Sequence, residues 1–310
     1  MSSFKEMLQA SFKSKDTEEW LDVHFTRPIG LVFALMWKRL GVHPNTITIL
    51  SIFLGIGAGC MFSFTDLTHN IAGVILLMFA NFCDSTDGQL ARLTGQKTLL
   101  GRVLDGFSGD VWFFAIYAAL SYRMMWQIIP GTDIVWGLWI WVLAFVSGVM
   151  CHSPQSSLSD YYRQIHLFFL KGKEGSELDN YASQRKIYES LPKSEWFSRL
   201  FYYNYSNYCK SQEHRSPAFQ RMIKAMKDKY GDLAHVPDDL RNSFLEGSRP
   251  LMKYTNILTF NTRAICIYVT CLLDCPWVFM LFEITVMNII YIYMHKKHES
   301  LCKKITNKII

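Results

Sequence analysis

Four aspartates and two arginines stand at the ends of two apolar segments in FCDSTDGQLARLTGQKTLLGRVLDGFSGD, the stretch from Phe82 to Asp110. They are Asp84, Asp87, Asp105 and Asp110, with Arg92 and Arg102. An unpaired carboxylate at membrane depth is costly, so charges placed there are paired, metal-bound or functional. Residues three and four apart on a helix share a face. Asp84, Asp87 and Gly88 therefore lie together, Ala91 follows a turn later, and Gly101 and Asp105 stack on the next segment. Two antiparallel helices joined by a short turn touch, which lets these carboxylates converge. So many like charges in one volume call for a cation. Oxygen-only ligands select hard ions: magnesium, manganese or calcium. Gly88, Ala91 and Gly101 leave room for a large group or a neighbouring backbone.

The elements that position these residues are apolar runs long enough to cross a bilayer, which takes about 20 residues as a helix. The chain has 310 residues, half of them hydrophobic, and a net charge of +6. Six spans are expected, near 46–64, 71–93, 99–122, 134–151, 256–273 and 277–294. This predicts an all-α, polytopic membrane protein. The outer connections TDLTHN, RMMWQIIPGTD and LDCP hold a single Arg123 and no Lys, while HKKHES, CKK and KGK lie on the other side. The positive-inside rule then puts both termini and the aspartates on the cytoplasmic side. The N-terminus lacks the apolar stretch of a signal peptide. The eight cysteines form no zinc-type spacing.

Five segments follow. Residues 1–44 hold an interfacial helix, RPIGLVFALMWKRLGV, too short to cross and flanked by Arg27, Lys38 and Arg39; it would bury Leu31, Phe33, Leu35 and Met36 at the headgroups. Residues 45–159 hold spans one to four, 160–253 a helical cytoplasmic insertion, 254–296 the last two spans, and 297–310 a basic tail. In the insertion, aromatic and basic residues alternate (Trp196, Arg199, Tyr202, Tyr203). A cap on an anionic membrane surface accounts for this better than nucleic-acid binding.

The series Asp84-x2-Asp87-Gly88-x2-Ala91-Arg92-x8-Gly101-x3-Asp105 resembles the signature of the CDP-alcohol phosphatidyltransferases. PNTIT before the first span and the six spans are also similar to that family, whereas the insertion lies outside the likeness. The resemblance implies an integral membrane enzyme, usually a homodimer, that releases CMP. It would transfer phosphatidyl from CDP-diacylglycerol to an alcohol, or a phosphoalcohol from a CDP-alcohol to diacylglycerol. It implies a divalent metal, Mg2+ or Mn2+ and as two ions, on Asp84, Asp87, Asp105 and Asp110, with Asp105 and Asp110 catalytic. It places the nucleotide against Asn45, Thr48, Asp84, Gly88, Ala91, Arg92 and Gly101. One departure stands out: the family's pattern ends Asp-x3-Asp, but here Gly109 holds that position and the acid follows at Asp110. In a regular helix this turns the carboxylate by about 100°. A one-residue π-bulge around Phe107–Gly109 would return it to the cluster.

For the acceptor, Arg102, Arg163 and Arg263 are the candidate cations. Glu283 is expected to pair with a neighbouring helix. An arginine-rich cavity favours inositol or inositol phosphate as acceptor, with CDP-diacylglycerol as donor. A CDP-choline or CDP-ethanolamine type reaction on diacylglycerol is the alternative, as is a catalytically dead lipid-binding relative. A cation transporter would place its carboxylates nearer mid-bilayer.

Overall fold

The computed structural model describes residues 4–12, 14–96 and 98–310, with side chains for all of these except Lys5, Ala10, Ser11, Leu99, Arg102 and Glu174. The described residues are predominantly helical and contain no strand. In chain order the helices are α1 (Phe4–Ser11), α2 (Arg27–Arg39), α3 (Pro44–Phe62), α4 (Leu67–Thr94), α5 (Leu99–Met124), α6 (Trp139–Phe145) and α7 (Ser153–Lys171). Then come α8 (Tyr181–Ser190), α9 (Trp196–Arg215), α10 (Pro217–Tyr230), α11 (Asp238–Ser248) and α12 (Met252–Ile257). The last are α13 (Phe260–Leu272), α14 (Trp277–Phe282) and α15 (Asn288–Ile309). Stretches of π-helix occupy Asp22–Thr26, Val146–His152 and Glu283–Met287.

Two compact units result. The first comprises Met1–Ser153 with Thr259–Asn288, the second Pro154–Leu258 with Ile289–Ile310. In the first, local chemistry fixes the helix ends. His43 caps α3 by accepting from the Asn45 N–H, and Pro44 supplies a pre-set first turn. Asp66 caps α4 through the His69 N–H at 3.1 Å, and Gly95, at φ +71°, stops it. Thr98 restarts the chain as α5 by accepting from the Gly101 N–H at 2.9 Å. Gly95 ends α4 and Thr98 opens α5 three positions later in sequence, with the aspartates on the two helices they bound.

Small residues set how closely α3 and α5 approach. A Cβ at Gly55 would fall 2.0 Å from Cδ1 of Trp112, and one at Gly59 would fall 3.0 Å from the Ala115 backbone. Gly55 thus makes room for the Trp112 ring and Gly59, four residues on, for the Ala115 backbone. Phe62, Leu77, Ala80, Ile116 and Leu120 complete the core around it. At the end of α5 remote from the aspartates, buried Arg123 donates to Phe62 O, Asn70 Oδ1 and Asp274 Oδ1 at 3.2, 2.8 and 2.5 Å. One guanidinium so ties four segments together.

Four helical runs among the described residues are long and apolar enough to cross a membrane: Pro44–Phe62, Leu67–Thr94, Val103–Met124 and Trp277–Ile309. Only 22–39 % of their apolar windows is buried, so most of that surface needs hydrocarbon around it. The fourth and fifth expected spans do not stand as long apolar helices. The run beginning at Trp139 turns polar beyond His152, and α13 has only 13 residues. In α2, Gly30, Leu31 and Ala34 are buried while Val32 and Met36 remain exposed, so the helix serves both core and surface.

In the second unit, Tyr162 stacks on His298 at 3.7 Å, and its hydroxyl lies 2.6 Å from His295 Nδ1. Phe169 packs on Phe244, and Met222, Met226 and Ile305 are buried in the same unit. Gln212 donates to the Ser157 carbonyl at 3.0 Å. Apolar Trp196, Phe197 and Leu200 at the start of α9 remain exposed.

Candidate metal and nucleotide site

Helices α4 and α5 bring Asp84, Asp87 and Asp105 together. One carboxylate oxygen from each lies within 4.8 Å of those of the other two. Asp87 is buried, Asp84 half-buried and Asp105 exposed. Two hydroxyls orient the inner pair. Thr48 Oγ1 donates to Asp87 Oδ2 in a very short hydrogen bond. Ser108 Oγ lies 3.1 Å from Asp84 Oδ1 and 2.7 Å from the Asp105 carbonyl, so its single proton serves one of them at a time. Three carboxylate oxygens at this spacing suit a hard divalent ion, since like charges so close require a cation to balance them.

The nucleotide-side residues of the sequence reading gather at the same place in part. Asn45 and Gly101 meet: a Cβ at Gly101 would fall 2.9 Å from Asn45 Oδ1, so only glycine admits the amide there. A Cβ at Gly88 would meet Arg92 Nη1 at 3.6 Å, an ordinary contact. The close approach thus constrains Gly101, while no protein atom forbids a side chain at Gly88. The Nε and Nη2 of Arg92 are buried without a hydrogen-bond partner among the described residues. Ala91 is half-buried on the same helix.

Several expectations need correction. No π-bulge occurs around Phe107–Gly109: α5 is regular from Leu99 to Met124. Asp110 is consequently exposed and is absent from the carboxylate group. Helix softness at Gly106 and Gly109 permits a bulge but does not enforce one, and nothing in the packing demands the extra residue. The π-helix lies instead at Val146–His152 and Glu283–Met287, which pack together.

The Arg102 side chain lies outside the described residues. Arg163 belongs to the second unit, with Nη2 3.4 Å from Asn256 Oδ1. Arg263 is fully buried, donating Nε to Glu283 Oε1 at 2.8 Å and Nη2 to Oε2 at 3.4 Å. Its Nη1 donates to the Thr259 carbonyl at 3.2 Å. The expected pairing of Glu283 is therefore present, and it occupies the arginine proposed for the acceptor. His152 is buried against the edges of Phe113 and Tyr117. Ser108 was not singled out by the sequence reading. A serine three residues past an aspartate on a helix is too common a pattern to stand out.

The fold is that of a helical membrane protein with an acidic cluster where two of its apolar helices meet. Residues 41–155 match the CDP-alcohol phosphatidyltransferase family, so the chain carries a domain of that family, whose members are phosphotransferases. The matched segment contains α3, α4 and α5 whole, and with them all three clustered aspartates. The domain supports a phosphatidyl-transfer role in phospholipid synthesis, with a CDP-alcohol and an alcohol acceptor meeting in a bilayer. No curated protein matches the chain.

Proposed function

We propose that the protein transfers the phosphatidyl group of CDP-diacylglycerol to an alcohol, inositol or inositol phosphate, and releases CMP. The observation that carries this is the convergence of Asp84, Asp87 and Asp105 within the matched domain. Mg2+ or Mn2+ bound there, as two ions, would neutralise the pyrophosphate and the departing CMP. Asp105 is the exposed member, so it is the carboxylate that takes the proton from the acceptor hydroxyl. The hydroxyl oxygen bonds to the phosphorus bearing diacylglycerol, and the bond from that phosphorus to the bridging oxygen breaks. Asp84 and Asp87, oriented by Ser108 and Thr48, hold position throughout. Asn45, Gly88, Ala91, Arg92 and Gly101 line the nucleotide.

We further infer a homodimer of six crossings with termini and active site on the cytoplasmic side, in keeping with the Lys and Arg distribution. In this reading apolar Ile134–Cys151 and Asn256–Leu273 are the fourth and fifth crossings, and residues 160–253 form the insertion. Arg102 and Arg163 remain the acceptor candidates. The displacement of Asp110 favours one second reading, a relative that binds metal and lipid without turnover.

Purified protein with CDP-diacylglycerol and either metal should release CMP only when one acceptor among inositol, inositol phosphate, glycerol phosphate and serine is added. Asp105→Asn should abolish that release. Activity only with CDP-choline or CDP-ethanolamine and diacylglycerol would move the protein to the alternative reaction. Metal binding with silence on every substrate would favour the inactive relative.

A further inference from the structure

Helix α2 carries no residue of the carboxylate site, yet it has two distinct faces. The inner face packs on α4. A Cβ at Gly30 would come 2.7 Å from Gln89 Nε2 and 2.9 Å from Ser85 Oγ, and Gln89 Nε2 donates to the Arg27 carbonyl at 3.1 Å. Towards the other end of α2, Lys38 Nζ donates to the Leu93 carbonyl at 3.2 Å. These contacts hold α2 against the last turns of α4, where the apolar run gives way to polar sequence. In a bilayer that encloses the apolar part of α4, α2 therefore lies at the border of the hydrocarbon, level with the headgroups.

The outer face is a stripe at helical spacing. Val32, Leu35, Met36, Arg39 and Leu40 stand at i, i+3, i+4, i+7 and i+8. Gly30 and Ala34, buried on the inner face, precede Val32 and Met36 by two residues, about 200° of rotation, so the two faces are opposed. Val32 is 57 % and Leu40 66 % exposed, with Met36 exposed between them. Together with Phe4 of α1 the stripe lines a groove of about 440 Å3. That size falls within the roughly 300–1,000 Å3 of small-molecule sites.

Arg39 is the charged member of this lining. Gly41, at φ +67°, follows the end of α2, so Arg39 stands in the last turn, towards one end of the apolar stripe. It is exposed and makes no hydrogen bond or ion pair among the described residues, whereas its neighbour Lys38 is committed to α4. An apolar trough with an uncommitted cation towards one end is complementary to an amphiphile with a hydrocarbon chain and an anionic head. At the border of a bilayer, that amphiphile is a phospholipid.

We propose that the groove between α1 and α2 binds a phospholipid of the bilayer, its acyl chain along Val32, Leu35 and Met36 and its phosphate on Arg39. An anionic headgroup is favoured, since nothing in the lining offsets the Arg39 charge. The site lies on the face of α2 turned away from α4, apart from the aspartates, and no bond is made or broken there. It stands whichever donor and alcohol the enzyme uses. Lipid in the groove holds one face of α2 while the other face holds the helix that carries Asp84 and Asp87.

The test is photo-labelling of the full chain in phosphatidylcholine vesicles. The probes are trace phosphatidylglycerol and trace phosphatidylcholine, each with a diazirine in one acyl chain, and labelled peptides are mapped by mass spectrometry. The anionic probe should label Val32–Leu40 about five-fold more than the zwitterionic one, as expected for one cation at a charged headgroup. Excess unlabelled phosphatidylglycerol should compete. Arg39→Gln should erase the preference, and Leu35→Trp, which fills the trough, should cut labelling of this stretch by both probes. Labelling of Pro44–Phe62 should stay unchanged in both variants and reports the fold. If Leu35→Trp fails to fold, Val32→Glu sets a carboxylate on the exposed wall and should exclude the anionic probe. Equal labelling by the two probes in the wild type, or a preference that survives Arg39→Gln, overturns the site, because a helix merely bathed in bulk lipid behaves that way. Absence of label from Val32–Leu40 overturns it too. A crosslink joining these residues in two chains overturns it in favour of a second copy.

Discussion

Replacing Arg263 and Glu283 singly and together separates a structural ion pair from an acceptor ligand. Both side chains are fully buried, and the guanidinium meets the carboxylate through two contacts at 2.8 and 3.4 Å. Removing one partner strands the other charge in a low-dielectric interior, a loss of about 3–5 kcal/mol. Arg263→Met and Glu283→Met should each destabilise the protein by about that amount. The double substitution removes both charges of this pair. It does leave the Thr259 carbonyl without its Nη1 donor, which costs about 1 kcal/mol. The double variant is therefore expected within about 1–2 kcal/mol of the wild type, far from the sum of the singles. Unfolding in micelles, followed by loss of monodisperse elution on heating, measures this. Acceptor-dependent CMP release per folded molecule is the second readout, and it should survive in the double variant. Additive losses would refute the pair as a coupled unit. Recovered stability with acceptor-dependent release still absent would show that Arg263 touches substrate after all.

Three other outcomes follow from the same geometry. Ser108→Ala should weaken Mn2+ binding about ten-fold, read by isothermal titration, because Asp84 loses the hydroxyl that orients it. Gly109→Asp should tighten Mn2+ binding: a Cβ at Gly109 meets open space, and on a regular helix this position lies one turn beyond Asp105. Unchanged affinity would place that face away from the cluster. At the remote end of α4, the His69 backbone N–H holds the Asp66 carboxyl below its ordinary value of 3.8. A depressed carboxyl stabilises the fold above its unfolded value and loses that contribution as pH falls through the folded one. Thermal stability of Asp66→Ala should thus trail the wild type at pH 7, and the gap should narrow as pH falls below 3.8.

What the sequence made legible was whatever repeats with the helix. The spacing of Asp84, Asp87, Gly101 and Asp105 depends only on 3.6 residues per turn and a tight reversal. Gly95 ends the first helix and Thr98 caps the second within the same stretch. The first three spans were also readable, since each is a single apolar run between caps. The fourth and fifth were harder, because α13 shortens at Thr259 and the helix begun at Trp139 runs on into polar sequence. Hydropathy averages over such breaks and does not locate them.

Long-range pairings were illegible for a different reason. Glu18 meets Arg27 nine residues away, and Glu19 meets Asn261 from the far end of the chain, with no periodicity to announce either contact. Arg263 shows how this misleads: an arginine inside an apolar segment reads as a ligand until its counter-charge, Glu283, is found 20 residues on in another helix. Asp110 shows the converse. Its nearness to the motif invited a backbone irregularity to rescue it, yet α5 runs as a regular α-helix from Leu99 to Met124. A bulge would have to be stabilised by the metal cluster itself. The grouped carboxylates among the described residues are Asp84, Asp87 and Asp105, with Ser108 beside Asp84 and Thr48 donating to Asp87, so the geometry calls for no fourth carboxylate from a bulge.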